Sequence, residues 1–251
     1  MPLEDDHSLA ARLAAEAGEV LLRLRSELGF ADGRALKDAG DQASHEYLME
    51  ALARYRPDDA VLSEEGKDDK VRLKSDRVWI VDPLDGTREF SEEGRSDWAV
   101  HVALWENDRL AAGAVALPAQ GVTLSTGNPP ESAERAAEPI RIVVSRTRPP
   151  QIVHDLTAKL EAAGHTVELV PMGSAGAKIA AVLTGDVDVY VHAGGQYEWD
   201  SAAPAAVALA AGAHASRIDG SPLVYNEEDP YLPDILVSHP SLAQLILSGL
   251  N

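Results

Sequence analysis

The sequence predicts an α+β fold built in two halves, on three observations. Two helix-forming stretches precede a run of short strands. A composition shift over residues 127–139, rich in Pro, Glu and Ala, then interrupts the chain. Beyond it strands and helices alternate, the pattern of a sheet with helices laid on it. The halves are therefore drawn at residues 1–138 and 139–251.

Residues 8–28 predict an amphipathic helix, with Leu9, Leu13, Val20, Leu21, Leu24 and Leu28 near helical spacing. Residues 43–55 predict a second. Residues 60–63 form a short strand running into Glu64-Glu65-Gly66, and residues 77–81 a buried strand that stops at Asp82-Pro83. Strands at 97–105 and 109–117 are joined by a turn at Glu106-Asn107-Asp108, and a strand at 122–125 completes a meander. After the composition shift come strands at 140–145, 166–170 and 187–192. Helices are expected at 151–163, 174–184 and 201–211, with no internal repeat.

With 251 residues, 25% charged and 45% hydrophobic, the chain has the make-up of a folded globular protein with a substantial core. Residues 204–213, the longest nearly apolar stretch, are too few to span a bilayer, and the acidic start Met1-Pro2-Leu3-Glu4-Asp5-Asp6 is not a secretory signal. The lack of cysteine excludes disulfides, thiolate metal sites and a cysteine nucleophile, and fits a cytoplasmic setting. A net charge of -19 disfavours nucleic-acid polymers and anionic membranes as partners. The same field opposes a phosphorylated substrate unless it is reversed locally, which bound divalent cations do directly.

Asp82-Pro83-Leu84-Asp85-Gly86-Thr87 is the most informative stretch. An apolar strand delivers Asp82, and a turn at Gly86 brings Asp85 to the same point with the Leu84 carbonyl between them, an oxygen set suited to a hard cation such as Mg2+. The Gly86 and Thr87 amides would face that point and hold a phosphate oxygen. A surface turn with an aspartate cap explains the shorter DPLDG equally well. Glu64-Glu65 ends a second short strand, where two solvated acids opening a loop are the plainer explanation. Asp200, in Glu198-Trp199-Asp200, sits where a helix N-cap belongs, and capping is compatible with metal ligation. Gly173 through Lys178 also opens a helix but lacks the Gly-Lys-Ser/Thr ending of a P-loop. Ser174 there is either a cap or a substrate contact. The eight histidines show no metal-binding spacing, and no GxGxxG or GxSxG motif is present.

In this order, Glu64-Glu65, Trp79 through Thr87, Gly173 through Lys178 and Trp199-Asp200, the chain resembles the inositol monophosphatase superfamily of Mg2+-dependent, lithium-sensitive phosphatases. Within it the chain looks most like the CysQ type, on Leu62-Ser63-Glu64-Glu65, Asp85 through Phe90, Gly195 through Pro204 and Tyr225-Asn226. The resemblance implies a layered αβαβα sandwich, with an antiparallel sheet dominating the first half, a smaller mixed sheet in the second, and metals at their junction. It implies one metal held by Glu64, Asp82 and the Leu84 carbonyl, a second held by Asp82, Asp85 and Asp200, and a third, weaker site near Glu64 and Asp41. Thr87, with Asp41 or Glu64, would orient the attacking water. The segment Lys37-Asp38-Ala39-Gly40-Asp41 is shorter than its counterpart in the family.

The substrate implied is adenosine 3',5'-bisphosphate (pAp), a by-product of sulfate assimilation, losing its 3'-phosphate to give AMP; its sulfated relative PAPS is a further expectation. Gly86, Thr87, Ser145, Arg146, Ser174, Lys178 and Asp200 would contact it, with Arg146 and Lys178 on the 5'-phosphate, although both also read as ordinary surface cations. Inositol monophosphatases carry an acid seven positions before the aspartate of the Trp-Asp motif, where this chain has Ala193. Inositol 1-phosphate and fructose 1,6-bisphosphate remain alternative substrates, and a non-catalytic metal-binding regulator is an alternative of another class. A homodimer is a further expectation from the resemblance.

Overall fold

The computed structural model describes residues 4–131, 134–147 and 149–250, and its elements stack in five layers. The outermost layer holds α1 (Asp6–Leu28) and α2 (Gly33–Tyr55). Leu9, Leu13, Ala17 and Leu21 recur every four residues along α1 and are fully buried, and Asp5 caps the helix by accepting from the Ser8 amide at 3.0 Å. Beneath lies a sheet of β1 (Ala60–Ser63), β2 (Arg77–Asp85), β3 (Ala99–Glu106), β4 (Arg109–Leu117) and β5 (Val122–Ser125), in that spatial order. The β1–β2 pair is parallel and the rest of the sheet antiparallel. Asn107 and Asp108, both at positive φ, make the two-residue turn between β3 and β4.

The middle layer is α5 (Ala175–Leu183) and α6 (Glu198–Ala210), rich in small residues and packed between the two sheets. The second sheet contains β6 (Ile140–Ser145), β7 (Val167–Met172), β8 (Val189–Tyr197), β9 (His214–Ser216) and β10 (Tyr231–Ser238), in the order β7-β6-β8-β10-β9. It is mixed: β7, β6 and β8 are parallel, while β10 runs antiparallel to β8 and β9. The last layer is α4 (Gln151–Ala162) and α7 (Ala243–Leu250), with α3 (Thr87–Phe90) a single turn near the centre. The layered sandwich holds. Among the described residues no helix is long and apolar enough to cross a membrane.

Four expectations need correction. The second helix starts at residue 33, ten residues early, because Asp32 accepts from the Arg34 and Ala35 amides and so nucleates it; Lys37 to Asp41 are helical. The β2 strand runs past Pro83 to Asp85, because Pro83 falls in a bulge where no ladder amide is needed. The helix expected at residue 201 starts at 198, so Asp200 is its third residue rather than its cap, and its carboxylate accepts from the Tyr197 amide at 2.7 Å. The second sheet matches the first in strand number. It also has five strands, because β9 and β10 were not foreseen; Pro233, which has no amide to give a ladder, sits where the register shifts between Leu232 and Asp234. Residues 132 and 133 of the composition shift lie outside the described residues, and β5 and β6 flank it.

Candidate metal and phosphate site

The bulge in β2 creates the site. Asp82 pairs with His101 and Asp85 with Ala99, so three steps on β2 match two on β3. In a regular strand Asp82 and Asp85 would point to opposite faces; the extra residue puts both on the face that meets α5 and α6. Asp200 arrives from the first turn of α6. Carboxylate oxygens of Asp82, Asp85 and Asp200 all lie within 4.8 Å of one another. Glu64, held at the end of β1 by its amide on the Val81 carbonyl, stands close enough to Asp82 for the two carboxyls to interact.

Burial and this crowding together set the electrostatics. Burial, then the charges of Glu64, Asp85 and Asp200, pushes the Asp82 carboxyl well above its ordinary range. Burial also pushes Glu64 up to about 7, with Asp200, Asp85 and Glu65 adding repulsion, and Asp200 up to about 6, with Asp85 adding to it. Asp85 differs. Burial pushes it upward, but the His101 imidazole, the Ser174 hydroxyl and the Gly176 amide outweigh that and hold it at about 2. Ser174 Oγ donates to Asp85 Oδ2 at 2.6 Å, the Gly176 amide donates to the same oxygen at 2.6 Å, and the Ala175 amide donates to Oδ1 at 3.2 Å. The N-terminus of α5, from the second half of the chain, thus holds a carboxylate of the first.

Beside the cluster, Gly86 adopts a φ of +85°, and a Cβ there would lie 3.0 Å from Ser174 Cβ; only glycine suits both demands. The turn it makes starts α3 and presents Thr87, whose Oγ1 lies 3.1 Å from the Leu84 carbonyl and 3.4 Å from Asp41 Oδ1. Asp41 reaches this point because α2 extends back to residue 33. Burial, then the Glu65 charge, pushes it up to about 7. The loop after Glu64 is anchored by Arg72, which is buried and bonds Asp68 at 2.9 Å and Asn226 Oδ1 at 2.9 Å. Glu198 accepts from the Asn226 and Glu227 amides and fixes the other side of that junction.

The structure brings Glu64, Asp82, Leu84, Asp85, Thr87, Asp41, Gly86, Ser174 and Asp200 into one region. The basic residues are placed differently. Arg146 is engaged by Glu89 at 2.7 Å and Glu92 at 2.9 Å. Lys178 is no surface cation: it is buried, its ammonium donates to the Gly173 carbonyl at 2.8 Å, and burial pulls its pKa below the usual lysine range. Ser145 lines a cavity of about 560 Å³ with Thr147, His192, Ala193, Gly194 and Gly195, at the end of β6 and beside the middle of β8. Sequence reasoning missed His101, which is fully buried, places Nδ1 3.0 Å from the Trp199 carbonyl and Nε2 3.3 Å from Asp85 Oδ2. A signal existed: the sheet-facing period of β3 puts His101 between Ala99 and Ala103, where an apolar residue is expected.

Comparison with known proteins agrees with this architecture. Residues 3–250 match the inositol monophosphatase family. The chain is 53% identical to a 3'-phosphoadenosine 5'-phosphate phosphatase of Mycobacterium leprae, over 96% of this chain and 92% of that protein. It is 32% identical to the 3'(2'),5'-bisphosphate nucleotidase CysQ of Escherichia coli K12, over 88% of this chain and 94% of the relative. The crystal structure of CysQ from Bacteroides thetaiotaomicron superposes with a TM-score of 0.72 at 28% identity, covering 92% of this chain and 96% of that one. The chain belongs to the inositol monophosphatase family, whose members are metal-dependent.

Proposed function

We propose that this chain is a cytoplasmic, Mg2+-dependent phosphomonoesterase that removes the 3'-phosphate of pAp to give AMP and phosphate, recycling a by-product of sulfate assimilation, with PAPS as a further substrate. The observation that carries the proposal is the convergence of Asp82, Asp85 and Asp200 within 4.8 Å. The name of the M. leprae relative, at 53% identity, supports the choice of substrate.

The residues fit a hard divalent cation. The donor set is all oxygen, and three of its four carboxyls are raised by mutual repulsion and burial, an energetic conflict that a cation relieves. Glu64, Asp82 and the Leu84 carbonyl are proposed to hold one Mg2+, Asp82, Asp85 and Asp200 a second, and Glu64 with Asp41 a weaker third. When bound, the ions would polarise the phosphate and acidify water.

The chain's own groups supply positioning and proton handling. Thr87 Oγ1 donates toward Leu84 or Asp41 and keeps lone pairs to orient an attacking water. Asp41, whose Oδ1 lies 3.4 Å from Thr87 Oγ1, is proposed to orient that water with it and to accept its proton. The Gly86 and Thr87 amides are proposed to hold a phosphate oxygen. Ser145 and Arg146, at the end of β6, are proposed to receive the nucleotide. Ser174 is committed to Asp85, and Lys178 is proposed to act through its field from behind the Gly173 carbonyl. Ala193 borders the cavity without the acid that inositol recognition would use. Small phosphorylated nucleotides, rather than polymers or membranes, are the proposed partners, and the chain is proposed to pair as a homodimer.

Phosphate release from pAp, inositol 1-phosphate and fructose 1,6-bisphosphate, with and without Mg2+ and with lithium added, tests this reading. Preferred, Mg2+-dependent, lithium-inhibited turnover of pAp is expected. Preference for either sugar-type ester would replace the substrate, and no turnover on any of the three would favour the non-catalytic metal binder.

A further inference from the structure

His101 occupies an unusual place. It lies on β3 directly across from Asp82, with no exposed surface, on the face of the sheet otherwise lined by Ala99 and Ala103. A buried imidazole among apolar neighbours is costly unless its nitrogens have partners. Its two nitrogens reach two different arms of the carboxylate cluster. Nδ1 lies 3.0 Å from the carbonyl of Trp199, the residue immediately before Asp200, and since a carbonyl only accepts, Nδ1 donates. Nε2 makes no hydrogen bond, and the group it faces, at 3.3 Å, is Asp85 Oδ2.

The surroundings are cut to fit the ring. A Cβ on Gly176 would sit 2.0 Å from His101 Nε2, so any other residue at 176 would displace the imidazole or the helix. Gly176 itself donates its amide to Asp85 Oδ2 at 2.6 Å. The ring is therefore wedged between α5, which grips Asp85, and the first turn of α6, which carries Asp200.

We infer that His101 is a positioning residue that ties Asp85 on β2 to the backbone beside Asp200 on α6, fixing the separation of two carboxylates that come from opposite halves of the chain. It does not itself join the cluster of oxygen donors. It acts through them, as groups that orient metal-binding side chains do. The inference rests on the reading of Asp82, Asp85 and Asp200 as metal ligands.

The test is calorimetric titration of the full-length, metal-free protein with Mg2+ alone, comparing wild type, His101→Leu, His101→Gln, Gly176→Ala and Asp200→Asn. His101→Leu should weaken Mg2+ binding by about 10–100-fold. Its Mg2+-free melting temperature should fall, because Asp85 loses the imidazole that faces it, so affinities are compared at a temperature where circular dichroism shows every variant folded. His101→Gln, which restores one donor, should recover part of the loss. Should His101→Leu prove insoluble, Gly176→Ala tests the same junction, because its Cβ displaces either the ring or the α5 turn that grips Asp85, and it should weaken binding in the same sense. Wild-type Mg2+ affinity in His101→Leu or in Gly176→Ala, with Asp200→Asn impaired, would overturn the role of His101 alone. Wild-type affinity in Asp200→Asn would instead overturn the metal-site reading beneath it.

Discussion

Ser174 Oγ donates to Asp85 Oδ2 at 2.6 Å, and so a residue of the second half of the chain holds an acid of the first. Ser174 also caps α5 by accepting from the Ala177 amide at 3.0 Å. Replacing it with alanine removes both bonds. Ser174→Ala should cost about 0.5–2 kcal/mol of stability through the lost cap. It should also raise the Mg2+ concentration for half-maximal activity, by up to about 10-fold if Asp85 loosens. Thermal unfolding and a Mg2+ titration of phosphate release separate the two effects.

Thr87 contributes a hydroxyl between the Leu84 carbonyl and Asp41. Thr87→Val keeps its shape and removes that group, so turnover should fall by about 10²–10⁴-fold with the fold intact, the range attributed to a lost proton-handling group. Thr87→Ser should retain most of the activity. Steady-state kinetics on pAp check both, and equal activity of the valine and serine variants would remove Thr87 from the chemistry.

The α2 helix touches the bulge through Gly40. A Cβ there would lie 2.7 Å from Phe90 Cε1 and 3.0 Å from Leu84 Cδ2. Gly40→Leu should overpack this contact, cost about 1–3 kcal/mol, and reduce activity by displacing Leu84 and Asp41 together. Chemical denaturation and phosphate release should move in the same direction.

The acid cluster makes metal-free stability pH-dependent. Glu64 and Asp41 at about 7, Asp200 at about 6 and Asp82 well above its usual range all bind protons more tightly in the folded chain than in the unfolded one. Their contribution is present below the unfolded carboxylate pKa, near 4, and is lost as pH rises through about 6 to 7. Asp85, held at about 2, works in the opposite sense, but its window lies below pH 4. The melting temperature in chelator should therefore fall between pH 5 and pH 8. Added Mg2+ should raise it more at pH 8 than at pH 5, because the carboxylates must be ionised to bind. Differential scanning fluorimetry across that range is the check.

Much of this was legible in the sequence because acids at the ends of apolar runs are conspicuous. Asp82 and Asp85 after Trp79-Ile80-Val81, Glu64 after Val61-Leu62-Ser63, and Asp200 at a helix start all stand out against their surroundings. The bulge that turns Asp82 and Asp85 to one face did not, because it is a property of pairing with His101 and Ala99 rather than of local composition. The early start of α2 was hidden by Gly33 and Gly40, poor helix formers whose cost is met by tertiary packing. The β10 strand was hidden by Pro233, and the burial of Lys178 by its charge. His101 showed no metal-binding spacing because its partners, Asp85 and Trp199, are contacts of the folded chain.

The central claim is that the converging carboxylates hold the metal on which phosphate release depends. The most direct measurement is turnover of pAp by wild type and Asp85→Asn over a range of Mg2+ concentrations. The account predicts that wild type loses activity in chelator. It also predicts that Asp85→Asn, folded by circular dichroism, stays slower by at least about 100-fold even at high Mg2+. Near-wild-type turnover by Asp85→Asn at saturating Mg2+, or full wild-type activity in chelator, would contradict it.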